Sequence, residues 1–332
     1  MLPLPLPVVV AVVIGAGALL LLPLLRWFFA PVTMAKAYAA AHDATKYRSY
    51  TDPTTPGTTL VFPSLSSPAT RYLSLVVPAF NEEDRIEPML DETIAYLESR
   101  AAADASFTYE IIVVDDCSTD KTVAVVEGHI RRHGVEKLKL LRLETNHGKG
   151  GAVRMGVLKA SGEIILMADA DAATKIDDFT KLEALWTTKA KDATSGVVVC
   201  GSRAHLEGEA TAKRHPLRNV LMHGFHWIVA TLCVNDIRDT QCGFKLFDRK
   251  AAQLLFPPLH IERWGFDVEL LYLAHKLRIP CYEVAVRWQE IPGSKLNVID
   301  ATFSMLREML LIPLCYNLGV WRTNDGAFRL QA

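Results

Sequence analysis

Two aspartates separated by one residue stand at the end of an apolar stretch in the middle of the chain. The stretch ends Leu166-Met167-Ala168, and Asp169 and Asp171 are the acidic residues that follow it. In extended backbone, residues i and i+2 point to the same side, so the two carboxylates face one ligand. Divalent cations such as Mg²⁺ and Mn²⁺ prefer oxygen ligands and also bind phosphate oxygens. The pair predicts a metal site for a diphosphate, against the alternative of two solvent-facing acids at a helix start.

Polar clusters also follow the apolar stretches that come earlier in the chain. The candidate binding residues there are Pro78, Ala79, Asn81, Glu82, Asp115, Asp116 and Lys149. Adjacent carboxylates at a strand end repel each other and need partners, which the NH group of a uracil and the hydroxyls of a ribose would supply. The alternative for Asn81, Ser118 or Asp120 is that each caps the helix that follows it.

Lys149 lies in a glycine-rich stretch, Asn146–Gly151, that precedes a predicted helix. Glycines at a helix N-terminus let backbone N–H groups approach an anion, and the lysine adds a positive charge. No Ser or Thr follows the lysine, so the stretch is not a Walker A loop, and its spacing does not match GxGxxG. The alternative is a simple turn.

Basic and acidic residues farther along the chain form a second set of candidates. Arg203 follows the apolar stretch 197–200, and Arg218 precedes an apolar helix predicted over 220–232. Arginines suit the recognition of phosphate, so a basic rim beside an apolar helix predicts a lipid phosphate site. A solvated basic loop is the alternative. Asp267 follows Trp264 at a helix start, where an acid also suits the helix dipole.

Short apolar strands alternate with helical stretches through this region. The predicted strands are 73–77, 109–114, 138–143, 163–168 and 197–200, and the predicted helices are 84–99, 120–133 and 150–160. This alternation predicts an α/β fold with a mostly parallel sheet covered by helices on both faces. Ligands bind beyond the carboxyl ends of the strands in such sheets, which is where the polar clusters lie.

The two ends of the chain predict contact with a membrane. Residues 8–25 are almost wholly apolar, and about 20 such residues cross a bilayer. Basic residues follow this stretch, which favours a retained transmembrane anchor over a cleaved signal peptide and places the remainder in the cytosol. The predicted divisions are an anchor at 1–30, a juxtamembrane helix and linker at 31–70, a catalytic domain at 71–290 and an amphipathic membrane-associated segment at 291–332. Ordinary core packing is the alternative for the last helix.

Composition excludes several classes of protein. Half of the 332 residues are hydrophobic and 22% are charged, which excludes a disordered chain. A formal net charge of −1 argues against a general nucleic-acid binder. The six cysteines are far apart, with no CxxC, and form neither a zinc pattern nor a small disulfide framework. The absent GxGxxG makes a Rossmann dehydrogenase a poor fit.

Six motifs in a fixed order carry a family resemblance. They are VVPAFNE, VVDDCSTD, NHGKGGAVRMG, DAD, QCGFKLF and WGFDVELL, and they lie between about residues 70 and 300. The sequence resembles the family 2 glycosyltransferases, which have the GT-A fold. Within that family it is similar to the dolichyl-phosphate β-glucosyltransferases of the endoplasmic reticulum, including their N-terminal anchor.

The resemblance implies transfer of glucose from UDP-glucose to dolichyl phosphate, with inversion, on the cytosolic face of the endoplasmic reticulum membrane. It implies Mg²⁺ or Mn²⁺ at Asp169 and Asp171, with Asp267 and Arg203 as further catalytic residues. The expected donor site consists of Pro78, Ala79, Asn81, Glu82, Asp115, Asp116, Lys149, Asp169, Ala170, Asp171, Gln241 and Trp264. The expected acceptor-phosphate site consists of Arg203, Arg218 and Lys295.

Two alternatives remain at this point. The first is another polyprenyl-phosphate glycosyltransferase that uses GDP-mannose, as dolichyl-phosphate mannose synthases do, or UDP-N-acetylglucosamine. The second is a non-catalytic, membrane-tethered protein that binds nucleotide sugars, although the intact DAD, Lys149 and Arg203 argue against it. The expected partners are the two substrates and the lipid bilayer, with no nucleic acid, and the sequence indicates no particular protein partner.

Overall fold

The structure is a computed structural model that describes residues 22–32, 47–55, 57–206, 237–291 and 298–323. The chain divides into two units, Met1–Asp43 and Ala44–Ala332. In the first unit, residues 22–32 form a helix, α1. Among the described residues, no helix is both long and apolar enough to cross a membrane. Most of the predicted anchor, nearly all of the predicted juxtamembrane helix and the basic stretch with Arg218 lie outside the described residues, and so does Lys295.

A seven-stranded sheet is the centre of the second unit. Its strands are β3 (Arg71–Ala79), β4 (Tyr109–Asp115), β5 (Leu138–Arg142), β6 (Gly162–Met167), β7 (Val198–Ser202), β8 (Lys245–Asp248) and β9 (Cys281–Ala285). They are joined in the order β5-β4-β3-β6-β8-β7-β9. Only β8 runs antiparallel to its two neighbours, while the other four pairs are parallel. The predicted mostly parallel α/β fold is therefore confirmed.

Helices connect and cover these strands. They are α2 (Ile86–Ala103), α3 (Thr122–His133), α4 (Gly148–Val157), α5 (Phe179–Lys189), α6 (Arg249–Leu255), α7 (Phe266–Lys276) and α8 (Val298–Asn317). The central strands are apolar on both faces, as burial between two helix layers requires, and Val76 and Val77 are fully buried. Helix α4 lies very close to the sheet, because a Cβ atom on Gly156 would stand 2.5 Å from Cγ1 of Val76. This close approach fixes the helix whose first turn carries Lys149.

The stretch predicted as a linker contains a small antiparallel sheet. Strands β1 (Ser49–Thr51) and β2 (Thr59–Val61) pair with each other, and Leu65 just after them is fully buried. The guanidinium of Arg249, at the start of α6, donates hydrogen bonds to the carbonyls of Ser64 and Ser67. These contacts join the end of the stretch to the start of α6.

Helix α8 has an inner face and an outer face that are both apolar. Its buried residues include Met309, Ile312 and Tyr316, and the hydroxyl of Tyr316 donates a hydrogen bond to Glu269 of α7. The outer face exposes Phe303, Leu310, Leu314 and, just after the helix, Leu318. The inner face therefore packs as ordinary core, while the interfacial role stays a prediction that concerns the exposed outer face.

Candidate active site

A cavity of about 410 Å³ opens at the carboxyl ends of β3, β4 and β6. Nine residues predicted for the site line it, namely Pro78, Ala79, Glu82, Asp116, Lys149, Asp169, Ala170, Asp171 and Trp264. It is also lined by Phe80, Arg85, Asn146, Gly148, Ala152 and Arg263. The switch from strand to loop at the ends of neighbouring parallel strands brings these residues together, as expected for an α/β sheet.

Each carboxylate of the DAD faces a cation in the cavity. Nζ of Lys149 lies 2.5 Å from Oδ1 of Asp169, and Nη1 of Arg85 lies 3.7 Å from Oδ2 of Asp171. Burial acts to raise the pKa of Asp169, but the ammonium of Lys149 outweighs it and holds that pKa below its usual value. Asp169 is therefore ionised near neutral pH, as a metal ligand must be.

The backbone around the DAD leaves these carboxylates little freedom. Oδ1 of Asp171 accepts a hydrogen bond from the N–H of Ala173, across Ala172 in the left-handed conformation with φ of 58°. Gly243 lies directly against Asp169, since a Cβ atom there would stand 2.1 Å from Oδ2 of the aspartate. The glycine of the QCGFK stretch thus makes room for the carboxylate.

The two carboxylates fit a magnesium or manganese ion that is shared with a substrate. Among the described residues, no group of three or more His, Cys, Asp or Glu side chains could hold a metal. Mg²⁺ is usually bound by one or two carboxylates together with water and substrate phosphates, so an all-protein cage is not needed. Asp169 and Asp171 supply two carboxylates of this kind in the lining of the cavity.

Backbone N–H groups of the protein are the partners of Asp115 and Asp116. The expectation that these carboxylates need a ligand as a partner was therefore wrong. The Asp116 carboxylate accepts hydrogen bonds from the N–H groups of His147 and Gly148, each at 2.7 Å. Asp115 accepts a longer one, 3.3 Å, from the N–H of Ser118. Burial raises the pKa of both aspartates. Asp116 still lines the cavity, and it fixes the glycine-rich loop where Gly148 takes a positive φ of 80°.

Asn81 joins two loops beside the cavity. It has a left-handed backbone with φ of 55°, and its Oδ1 accepts a hydrogen bond from the N–H of Thr119. Its own N–H donates to Oγ of Ser118. Asn81 and Asp115 are not among the residues that line the cavity. Their contacts hold the ends of β3 and β4 together.

Glu82 holds Arg85 at the cavity wall, a contact that the sequence interpretation missed. The carboxylate of Glu82 accepts hydrogen bonds from Nε and Nη2 of Arg85 at 2.7 and 2.6 Å. Burial acts to lower the pKa of Arg85, but Glu82 and then Asp171 outweigh it and raise that pKa. The spacing i, i+3 of an acidic and a basic residue just before α2 was the available signal.

A short arm before α7, residues 262–264, brings Arg263 and Trp264 to the cavity. The carbonyl of Glu262 accepts a hydrogen bond from the N–H of Gly151 in α4 at 2.8 Å. On the other side, buried Glu308 of α8 accepts one from the N–H of Gly265 at 2.9 Å. Arg263 was missed because nothing in the local pattern shows that this arm folds back to the glycine-rich loop.

Asp267 lies in a buried ion pair and does not line the cavity. Its Oδ1 is 2.5 Å from Nζ of Lys245, which also donates to the carbonyl of Cys242 at 2.7 Å. Burial acts to lower the pKa of Lys245, but the carboxylate of Asp267 outweighs it and raises that pKa. This environment favours a positioning role for Asp267 over direct contact with substrate.

Arg203 forms a bidentate pair with Asp239. Its Nε and Nη2 donate to the two carboxylate oxygens at 2.7 and 2.8 Å, and the guanidinium lies 5.5 Å from the ring centre of Trp288. Burial acts to lower the pKa of Arg203, but Asp239 outweighs it, and the charge of Asp169 adds to the rise. Gln241 lies apart from the cavity lining, with Nε2 3.7 Å from Sδ of Met305 in α8.

Comparisons with known proteins agree with this geometry. Residues 74–256 match the model of "Glycosyl transferase family 2". The dolichyl-phosphate beta-glucosyltransferase of Drosophila melanogaster is 52% identical over 264 residues, which are 80% of this chain and 81% of that protein. The enzymes of the same name from Homo sapiens and Saccharomyces cerevisiae are 50% and 39% identical, over 78% and 76% of this chain and 80% and 77% of theirs.

A solved structure shows the same kind of fold. The glucosyl-3-phosphoglycerate synthase of Mycobacterium tuberculosis, in complex with uridine diphosphate, matches with a TM-score of 0.51 and 18% identity. The match covers 74% of this chain and 80% of that one. At this identity the likeness shows the fold alone, a GT-A-like α/β sheet flanked by helices.

Proposed function

This chain belongs to glycosyl transferase family 2, and we propose that it transfers glucose from UDP-glucose to dolichyl phosphate with inversion at the anomeric carbon. The products are dolichyl β-D-glucosyl phosphate and UDP. Relatives up to 52% identical over four fifths of the chain bear the name of this activity. The observation that carries the chemistry is the DAD, whose two carboxylates face Lys149 and Arg85 across one cavity.

The donor occupies the cavity with its diphosphate against the DAD. Asp169 and Asp171 would hold Mg²⁺ or Mn²⁺, and the ion would supply positive charge to stabilise the departing UDP. Lys149 and Arg85 add positive charge on either side of the diphosphate. The uridine lies toward the ends of β3 and β4, near Pro78, Ala79, Asn81, Glu82, Asp115 and Asp116. The ring of Trp264, which is 39% exposed, offers an aromatic face to the sugar.

The reaction is a single displacement. A phosphate oxygen of the lipid, already anionic near neutral pH, forms a bond to the anomeric carbon while the bond from that carbon to UDP breaks. No strong base is needed, so the protein contributes mainly alignment of the two substrates. Arg203 holds the acceptor phosphate, together with Arg218 and Lys295 from outside the described residues. Asp239 orients the Arg203 guanidinium for this task through its two hydrogen bonds.

The enzyme works at the surface of the endoplasmic reticulum membrane. A lipid acceptor requires the cavity to lie near a bilayer, and the exposed apolar residues of α8 are suited to one. Phe303 is 57% exposed and Leu318 is 70% exposed. Burial of such side chains in the headgroup region binds an amphipathic helix to a membrane. Residues 1–30 add the anchor, and the catalytic domain, residues 71–290, faces the cytosol.

The test uses the full chain in detergent with dolichyl phosphate and labelled nucleotide sugars. Label from UDP-glucose is expected in the lipid fraction, with much less from GDP-mannose or UDP-N-acetylglucosamine. EDTA is expected to stop transfer, and added Mg²⁺ or Mn²⁺ to restore it. Transfer of another sugar without glucose would overturn the substrate, and transfer unaffected by EDTA would overturn the metal. Binding of UDP-glucose without any transfer to lipid would indicate a non-catalytic binding protein.

A further inference from the structure

Two cations stand where the proposed metal would be expected to act. Lys149 pairs with Asp169 and Arg85 lies beside Asp171, so each carboxylate of the DAD already has a positive partner within 4 Å. Both cations line the same cavity. A divalent cation at the two aspartates therefore competes with charges that belong to the protein.

The two cations differ in what else holds them. The guanidinium of Arg85 is fixed by two hydrogen bonds to Glu82, so it can lose Asp171 and keep its place. Among the described residues, the charge of Asp267 also attracts Lys149, and the like charge of Lys245 opposes it. Asp169 is thus the closest anion for Lys149, and loss of that contact needs a replacement anion.

The donor diphosphate is a suitable replacement, because lysine binds phosphate well as a point charge. On the basis of the proposed function, we propose that Lys149 occupies the place of the metal at Asp169 in the free protein and exchanges that carboxylate for the donor diphosphate. Metal and nucleotide sugar then bind tightly only together. The metal alone must displace Lys149 without compensation, whereas the metal with its diphosphate provides the ammonium with a new partner.

The test measures Mn²⁺ binding to the full chain in detergent, from the electron paramagnetic resonance signal of the free ion, with and without UDP. Wild-type protein is expected to bind Mn²⁺ about tenfold or more tightly with UDP than without it, within the usual range of coupling between sites. Lys149→Met is expected to bind Mn²⁺ alone about tenfold more tightly than wild type, because the competing cation is gone. The same variant is expected to bind UDP more weakly.

Three further variants test whether the change in Mn²⁺ binding comes from the charge of Lys149. Lys149→Arg retains the positive charge and is expected to leave Mn²⁺ binding without UDP as weak as in wild type. Lys181→Met removes a lysine from a pair outside the cavity, with Asp178 at 2.9 Å, and is expected to change nothing. Asp169→Asn is expected to weaken Mn²⁺ binding with and without UDP, which reports on the site itself.

One result would overturn the exchange. If folded Lys149→Met binds Mn²⁺ alone no more tightly than wild type, Lys149 does not stand in for the metal, even if glucose transfer is normal. Conversely, absent glucose transfer with the expected Mn²⁺ results would remove the proposed substrate and support the exchange. The two failures are therefore distinguishable.

Discussion

Two lysine–aspartate pairs of equal length lie in very different surroundings. Lys149 and Asp169 are 2.5 Å apart at the cavity, with side chains 18% and 35% exposed. Lys245 and Asp267 are also 2.5 Å apart, but their side chains are 0% and 5% exposed. Distance is the same in both, so burial decides what each pair can do. Solvent and substrate can replace either partner of the first pair, whereas separation of the second leaves a buried charge alone.

The buried pair of Lys245 and Asp267 holds together two elements next to the site. Lys245 begins β8, between β6 and β7, and Asp267 belongs to the first turn of α7. The pair therefore ties the sheet to the helix that follows Trp264, and the hydrogen bond from Lys245 to the carbonyl of Cys242 holds the strand next to Gly243. The contacts of this buried pair do not involve Lys149, so they can persist when Lys149 and Asp169 separate.

Substitution of Lys245 is expected to have the largest effect. Lys245→Met leaves Asp267 buried and unpaired, and should lower the free energy of unfolding by about 3–5 kcal/mol, measured by urea denaturation. Lys149→Met, in the partly exposed pair, should lower it by about 1 kcal/mol or less. The double variant Lys245→Met/Asp267→Leu removes both charges and should recover most of the loss. If Lys245→Met and Lys149→Met were equally stable, burial would not distinguish the two pairs.

A methyl group added at Gly243 tests whether the position of the Asp169 carboxylate is critical for transfer. A Cβ atom on Gly243 would stand 2.1 Å from Oδ2 of Asp169, so Gly243→Ala must move the carboxylate or the strand. Glucose transfer to lipid should fall roughly 100-fold, the usual effect of a misplacement near 1 Å. The matched control is Gly128→Ala, in helix α3, where no atom lies within 4 Å. It should raise stability by about 0.5–1 kcal/mol and leave transfer unchanged. Normal transfer by Gly243→Ala would show that Asp169 is not constrained from this side.

Glu308 is a buried carboxylate without a close lysine, in contrast to the two pairs. Its substitution should have the smallest effect of the variants considered. Burial raises the pKa of Glu308, although the hydrogen bond from the N–H of Gly265 acts to lower it. The Glu308 carboxyl therefore stays protonated to higher pH in the folded chain than in the unfolded chain. The stability that it contributes is fully present below about pH 4.3 and is lost as pH rises through the folded pKa.

Glu308→Gln keeps a carbonyl oxygen for the Gly265 N–H and removes the titration. Relative to wild type, this variant should therefore gain stability as the pH is raised, measured as the free energy of unfolding at several pH values. Thr93→Val, which removes a buried hydroxyl that donates to Sδ of Met89, should show no such trend. A difference between Glu308→Gln and wild type that stays constant with pH would contradict the raised pKa.

The fold and the centre of the site could be predicted because their signals are local. Continuous apolar runs indicate buried strands, and Asp169 and Asp171 are close in sequence as well as in space. The family resemblance added the activity and the identities of the two substrates. The antiparallel insertion of β8 between β6 and β7 had no such local signal.

Contacts between distant residues were not predictable. Lys245 pairs with Asp267 across 22 residues, and Arg203 pairs with Asp239 across 36. Arg263 reaches the cavity only because its arm folds back onto α4. For the same reason the partners of Asp116 were misjudged, since the N–H groups that satisfy it lie more than 30 residues away. Sequence shows which groups carry charge, and the fold decides which charges neutralise each other.

Removal of the DAD carboxylates tests the central claim most directly. The initial rate of labelled glucose transfer from UDP-glucose to dolichyl phosphate is measured for Asp169→Ala and Asp171→Ala beside wild type. Each should lose at least about 1000-fold, because the metal contribution of several kcal/mol depends on both carboxylates. Asp192→Ala, an exposed aspartate outside the cavity, should retain the wild-type rate. Near-normal transfer by both DAD variants would contradict the assignment of this cavity as the site of glucose transfer.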